Sequence, residues 1–241
     1  MWHRALIVLM VLWGLGGPDT QAQDVDLSQL EIVEGQAGVS AETGFIHIAG
    51  EVRNRTSEWV LKPRLTVELL DSSGNAIRVD SITAAVAEDQ GWKPHEFIHT
   101  ERTYIPPGEV GVFYYIRDAK KLGRARYASH RLTVASAGRA VRPPQVVIDE
   151  LQMPVEGDVH IVSGRIRNRG QVGCYSPQVV VGVYGTDGKV LREEHETPQE
   201  TFQKVLEGGQ SVPFQLKVYP DTGLGGTIGS LKAWADCVEP Y

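Results

Sequence analysis

Residues Ile46 to Thr56 run IHIAGEVRNRT, and the stretch returns as HIVSGRIRNRG from His160 to Gly170. Gly50 answers Gly164, Asn54 answers Asn168 and Arg55 answers Arg169, all at a spacing of 114. The same spacing carries Pro63 onto Pro177, the alternating Leu65, Val67 and Leu69 onto Val179, Val181 and Val183, and Gly74 onto Gly188. Further on, Ile105 to Glu109 with Phe113 answers Leu206 to Gln210 with Phe214 at a spacing of 101. The first copy is therefore about 13 residues longer between its Gly74 and Gly108 turns. A duplicated unit of this size is the first fact the chain offers about its architecture.

Each copy has the periodicity of strands. Leu65, Val67 and Leu69 alternate with Thr66 and Glu68, and Ile46, Ile48 and Val52 fall on every second position, the pattern of a strand with one buried face. Gly50 and Gly164 share that parity, which predicts a bulge or the close approach of another chain segment. Turn-forming groups such as Asp71 to Gly74, Thr186 to Gly188, Pro107-Gly108 and Gly208-Gly209 punctuate the runs at intervals suited to antiparallel sandwiches. The expected fold is all-β: two tandem immunoglobulin-like sandwich domains at 28–139 and 144–241. The connector GRAVRPPQ, Gly138 to Gln145, predicts a limited hinge because two prolines stiffen it.

At the start, Arg4 precedes the apolar run ALIVLMVLW, then GLGGP and the small-residue site Thr20-Gln21-Ala22, the layout of a signal peptide over residues 1–22. The run is shorter than the roughly 18 residues that cross a bilayer, so no membrane span is expected in the mature chain, which is read as secreted or periplasmic. With 24 Lys and Arg against 30 Asp and Glu, the net charge of −6 gives no support to nucleic-acid binding. The two cysteines, Cys174 and Cys237, both lie in the second copy and are expected to form one disulfide, as a lone pair does in an exported chain.

The pattern G-x-V-x-N, then alternating aliphatics into a turn, then a Pro-Gly-Glu turn and a Phe, resembles the bacterial FxLYD domain, an immunoglobulin-like module of exported proteins. The stretch equivalent to the naming motif stands as Val67-Glu68-Leu69-Leu70-Asp71 and Val181-Gly182-Val183-Tyr184-Gly185, so the leading Phe is replaced in both copies and the Asp in the second. The resemblance implies a fold and a cell-envelope setting, and it supplies no catalytic residues.

The extra segment of the first copy contains His95-Glu96-Phe97-Ile98-His99, which satisfies the H-E-x-x-H pattern of zinc peptidases. That chemistry requires a helix, so that His95 and His99 one turn apart meet one ion at about 2.0–2.1 Å while Glu96 polarises a water. On a strand the two imidazoles would stand roughly 13 Å apart. The segment is rich in β-branched and aromatic residues and runs quickly into Pro106-Pro107, and the positions of an extended zinc signature hold Arg102 and Ile105. The expectation is therefore no enzyme, no cofactor and no metal; a zinc hydrolase using His95, His99 and Glu96 is the rival.

Trp92, Phe97 and Tyr104 make the same segment aromatic and raise a carbohydrate-binding alternative. From Ala119 to Ile148 there are seven basic residues and no acid, with Lys120, Lys121, Arg124 and Arg126 at its head. These form a second candidate contact surface, for an envelope protein or polysaccharide. Asn54-Arg55-Thr56 is a glycosylation sequon, but Asn168 repeats the Asn without the Thr, so the shared role is a turn. The function expected is a non-enzymatic binding or assembly module that presents loops and sheet edges to a partner.

Overall fold

The computed structural model describes residues 25–77, 96–220 and 223–238, and nearly all regular structure among them is antiparallel β. The first half contains β1 (Leu30–Val39), β2 (Phe45–Asn54), β3 (Val60–Leu70), β4 (Glu96–His99), β5 (Tyr104–Ile105), β6 (Val110–Asp118) and β7 (Ser129–Arg139). One sheet has the order β1-β2-β6; the other has β3 at its centre, with β7 on one side and β4 and β5 on the other. Between them lies an apolar cluster that includes Ile46, Ile48, Leu65, Leu69, Ile105 and Phe113.

The second half repeats the plan with β8 (Val146–Gln152), β9 (Val155–Glu156), β10 (Val159–Asn168), β11 (Cys174–Tyr175), β12 (Pro177–Gly185), β13 (Val190–Glu196), β14 (Val205–Leu206), β15 (Ser211–Val218) and β16 (Ile228–Cys237). Its sheets are β15-β10-β8 and β13-β12-β16, with the short pair β11-β14 beside them. Val162, Ile166, Val179, Val181, Leu206 and Phe214 are part of its cluster. The all-β sandwich expectation agrees with this arrangement.

The repeated residues hold equivalent posts. Asn54 and Asn168 are both fully buried. Asn54 Nδ2 donates to the carbonyls of Glu58 at 2.7 Å and Ile105 at 2.9 Å. Asn168 Nδ2 donates to those of Val172 at 2.8 Å and Leu206 at 2.9 Å. Each side-chain oxygen accepts the backbone N–H two residues on, from Thr56 and Gly170. Each Asn thus ties a strand end, its own turn and a distant strand with one side chain, so the sequon is a buried structural knot rather than a surface acceptor. Gly50 pairs with Phe113 across β2 and β6, and Gly164 with Phe214 across β10 and β15. A Cβ on Gly50 would lie 2.5 Å from the Phe113 ring and 2.7 Å from the Val33 carbonyl, so the missing side chain is what admits the ring. Both glycines also face a strand carrying a bulge, as the sequence predicted.

The halves do not meet through the connector alone. The outer faces of β1-β2-β6 and β13-β12-β16 pack on one another through Ala49, Val112, Val180, Tyr184 and Val190, with Tyr114 and Trp234 against them. Small residues permit the approach: a Cβ on Gly182 would stand 3.1 Å from Val112 and 3.2 Å from the Trp234 ring. This departs from the expected hinge and from the expected single buried face of β2, because the solvent side of each sheet is covered by the other half.

The disulfide expected between Cys174 and Cys237 is present, joining β11 to the end of β16 across a sequence separation of 63. Cys174 sits opposite Leu206, and the equivalent Val60 of the first half sits opposite Ile105.

Candidate functional site at the junction of the halves

The loop from Thr100 to Thr103, between β4 and β5, is where the first half is gripped by the second. Asp236 on β16 is buried and accepts the backbone N–H of Thr103 at 2.5 Å and of Tyr104 at 3.3 Å. Gln178 Nε2, on β12, donates to the Glu101 carbonyl at 3.2 Å and to Asp236 Oδ2 at 3.4 Å. Burial raises the Asp236 carboxyl to about 6, because the desolvation of its charge outweighs the N–H groups and the Arg102 cation that favour it. Arg102, with a side chain only 6% exposed, donates through Nη1 to Glu109 Oε2 and to the Val110 carbonyl, each at 2.8 Å. Its guanidinium carbon stands 5.2 Å from the centre of the Trp234 ring. This cation–π contact crosses from one half to the other.

Two open cavities meet at Trp234 and Glu109. The first, of about 550 Å³, is walled by Trp59, Arg102 and Tyr104 of the first half and by Ile148, Leu151 and Trp234 of the second. The second, of about 590 Å³, has Arg53, Arg55 and Lys232 on its walls. Arg55 is tied to Glu31 at 2.6 Å, and the Lys232 ammonium stands 4.1 Å from the Tyr184 ring centre. Aromatic faces beside cations form a wall able to stack flat apolar surfaces and to attract negative charge.

A cluster of donors lies at the same junction. His195 Nδ1 on β13 is 3.3 Å from Glu193 Oε2 and 3.6 Å from Glu101 Oε2. The hydrogen bond to Glu193 lifts the His195 imidazole to about 9. Burial, then the Glu193 charge, pushes the Glu101 carboxyl above its ordinary range.

The residues singled out from the sequence are dispersed. Tyr104 lines the first cavity. Phe97 is 50% exposed on β4, with the Arg64 guanidinium 4.3 Å from its ring centre. Lys120 and Lys121 are exposed on the short 3-10 helix Ala119–Leu122, whose turn is capped by the Asp118 carboxylate and anchored by buried Leu122. Arg124 and Arg126 follow, also exposed. This group adjoins the Phe45 end of β2, whereas the junction cavities adjoin its Asn54 end, ten residues and about 30 Å away. Trp92 and His95 lie outside the described residues.

The described part of the zinc-like motif, Glu96 to His99, is a strand paired with β3. Glu96 accepts from Arg117 Nη1 at 2.7 Å and from the Tyr115 hydroxyl, so its carboxylate ties β4 to β6 across the mouth of the first sandwich. His99 lies opposite Arg64, and burial, followed by the Lys62 and Arg64 charges, holds its imidazole below the usual range. An extended backbone, a committed glutamate and cationic neighbours differ in every respect from the helical zinc platform.

Sequence reasoning missed Trp59, Arg102, Trp234, Asp236 and the His195 cluster. A signal existed: Gln178 to Tyr184 reads QVVVGVY with scarcely a polar residue, the mark of a strand covered on both faces. It announces a second layer over β12, but not which residues ring that contact.

No family model matches the chain, and no curated protein matches it. Among solved structures, the crystal structure of red sea bream transglutaminase aligns over 87% of this chain and 29% of its own, at 10% identity and a TM-score of 0.28. The chain spans about 29% of that protein's length, and a likeness of that degree carries no argument.

Proposed function

We propose that this chain is an exported, non-enzymatic binding or assembly module of the bacterial cell envelope, a tandem FxLYD-type protein whose partner seats at the junction of the halves. The observation that carries this reading is the cavity of about 550 Å³ in which Trp59, Tyr104 and Trp234 converge beside Arg102. Concave, mostly apolar sites with a few polar groups at the seam between packed units are where ligands collect. The disulfide suits an oxidising compartment, and among the described residues no helix is long and apolar enough to cross a membrane. Aromatic rings flanked by cations favour an envelope polysaccharide or a protein loop with aromatic and acidic groups.

The test compares the wild type with Trp59→Ala and Trp92→Ala in pull-downs from envelope extract and on glycan arrays. Retention by wild type and Trp92→Ala with loss in Trp59→Ala supports the junction. The reverse pattern moves the contact to the longer segment of the first copy. Failure of the wild type to retain any envelope component overturns the proposal.

A further inference from the structure

We propose that Glu101, Glu193 and His195 form a binding site for a divalent zinc-type cation that clamps the two halves together, a property beyond the partner-binding reading above. Glu193 and His195 are two residues apart on β13, so both side chains leave the same face of the strand. Glu101 is brought to them by the loop between β4 and β5, from the other half of the chain. The three donor atoms all lie within 4.8 Å of one another.

The spacings about His195 approach those of co-ligands. A charge-assisted N–H···O bond closes to about 2.7–2.9 Å. Nδ1 of His195 is instead 3.3 Å from the Glu193 oxygen, a hydrogen bond longer than that, and 3.6 Å from the Glu101 oxygen. Two ligands at about 2.0–2.1 Å from a tetrahedral ion stand about 3.3–3.4 Å apart, the spacing the His195–Glu193 pair already has, and Glu101, 3.6 Å from the imidazole nitrogen, moves inward to share the ion. One imidazole and two carboxylates, without thiolate, are the donor set of a borderline-hard first-row cation.

The surroundings hold these donors in position. Gln178, buried on β12, fixes the Glu101 backbone through its carbonyl, the outer-shell support that ligand residues require. Glu194 is engaged separately by Arg192 at 2.9 Å. Lys62 adds a positive charge near Glu101 and sets a competing, weaker neutralisation. The His195 side chain is 49% exposed, which leaves an approach for the ion and a fourth position for water. In the first half the equivalent rung carries Phe97, opposite Thr66, where His195 stands opposite Val180. The site therefore belongs to the junction and is not a general property of the repeat.

Calorimetric titration of Zn²⁺ into the chelator-stripped full chain tests this. One equivalent should bind, with at least a tenfold loss of affinity in His195→Gln, Glu193→Gln and Glu101→Gln and no change in His99→Gln. Zn²⁺ should raise the melting temperature of the wild type and leave that of the three junction variants unmoved. The variants lie on two separate segments and differ in burial, from the largely buried Glu193 to the exposed His195, so misfolding of one, seen by circular dichroism, leaves the others to decide. Absence of stoichiometric uptake, uptake undiminished in the folded junction variants, or uptake abolished by His99→Gln would each overturn the proposal.

Discussion

β3 and β12 occupy the same post in the two copies, yet they are buried differently. β3 alternates between buried and half-buried residues, whereas every residue of β12 is buried. The inner faces are alike: Leu65, Val67 and Leu69 match Val179, Val181 and Val183. The outer face of β12 is covered by the first half, whose β2 is buried on both sides for the same reason. Identical secondary structure thus takes its composition from what lies over each face: the junction joins non-equivalent sheets, the first copy covering its β2 sheet and the second its β12 sheet, while β3 and β15 keep their outer faces uncovered by the other half.

The halves also differ in their fastenings, and the largest test breaks the one that only the second possesses. Replacing both Cys174 and Cys237 by Ala should cost about 4 kcal/mol in the unfolding of the second half, given a loop closed over a separation of 63. Urea unfolding followed by tryptophan fluorescence measures it. An unchanged midpoint would mean that the second sandwich is as self-sufficient as the first, which has Val60 at the equivalent position.

The asparagine knots probe what the copies share. Asn54→Ala and Asn168→Ala each remove the side-chain donor from one buried carbonyl, of Ile105 or Leu206, and from one part-buried carbonyl, and leave the following backbone N–H without its side-chain acceptor, so each should cost about 3 kcal/mol. Near-equal shifts of the thermal midpoints support equivalent roles; a large effect in one copy alone would show that the duplication has diverged at this post.

Asp236 has no counterpart in β7, which carries no acidic residue. Its carboxyl is raised from 3.8 to about 6, so the folded chain holds the proton more tightly than the unfolded chain. The associated stability is fully present below about pH 4 and is lost as pH rises through about 6, a difference of at most about 3 kcal/mol. Melting temperatures across that window should fall with rising pH in the wild type and fall less in Asp236→Asn. A parallel slope in both would remove Asp236 as the cause.

The smallest contrast is between the paired glycines. A Cβ at Gly50 meets Phe113 at 2.5 Å and a backbone oxygen at 2.7 Å, whereas at Gly164 the nearest contacts are 3.0 Å and beyond. Gly50→Ala should therefore be the more destabilising, by about 1 kcal/mol. Equilibrium denaturation of the two variants, side by side, reads the difference.

Much of the fold was legible because a duplicated strand pattern is a local property. Gly50 with Gly164, Asn54 with Asn168 and the Gly108 and Gly209 turns carried backbone requirements that any copy of the unit must meet, and the structure uses them alike. The cysteine pair was legible for a similar reason, since two thiols in one repeat leave a single pairing. The zinc-like motif illustrates the converse: five letters matched a helical signature, but Glu96 to His99 are held extended by pairing with β3, and Glu96 is claimed by Arg117 and Tyr115.

The sequence by itself determined that the chain is β, that it is built twice and which residues shape each turn and core, because alternation, glycine and buried asparagine act within one unit. Only the tertiary structure decided which sheet faces would be covered and which side chains would meet across the junction. Trp59, Arg102, Glu101, His195 and Asp236 come together through the packing of two separately patterned surfaces, and the energy of such a contact depends on shape and distance between segments that no local periodicity records.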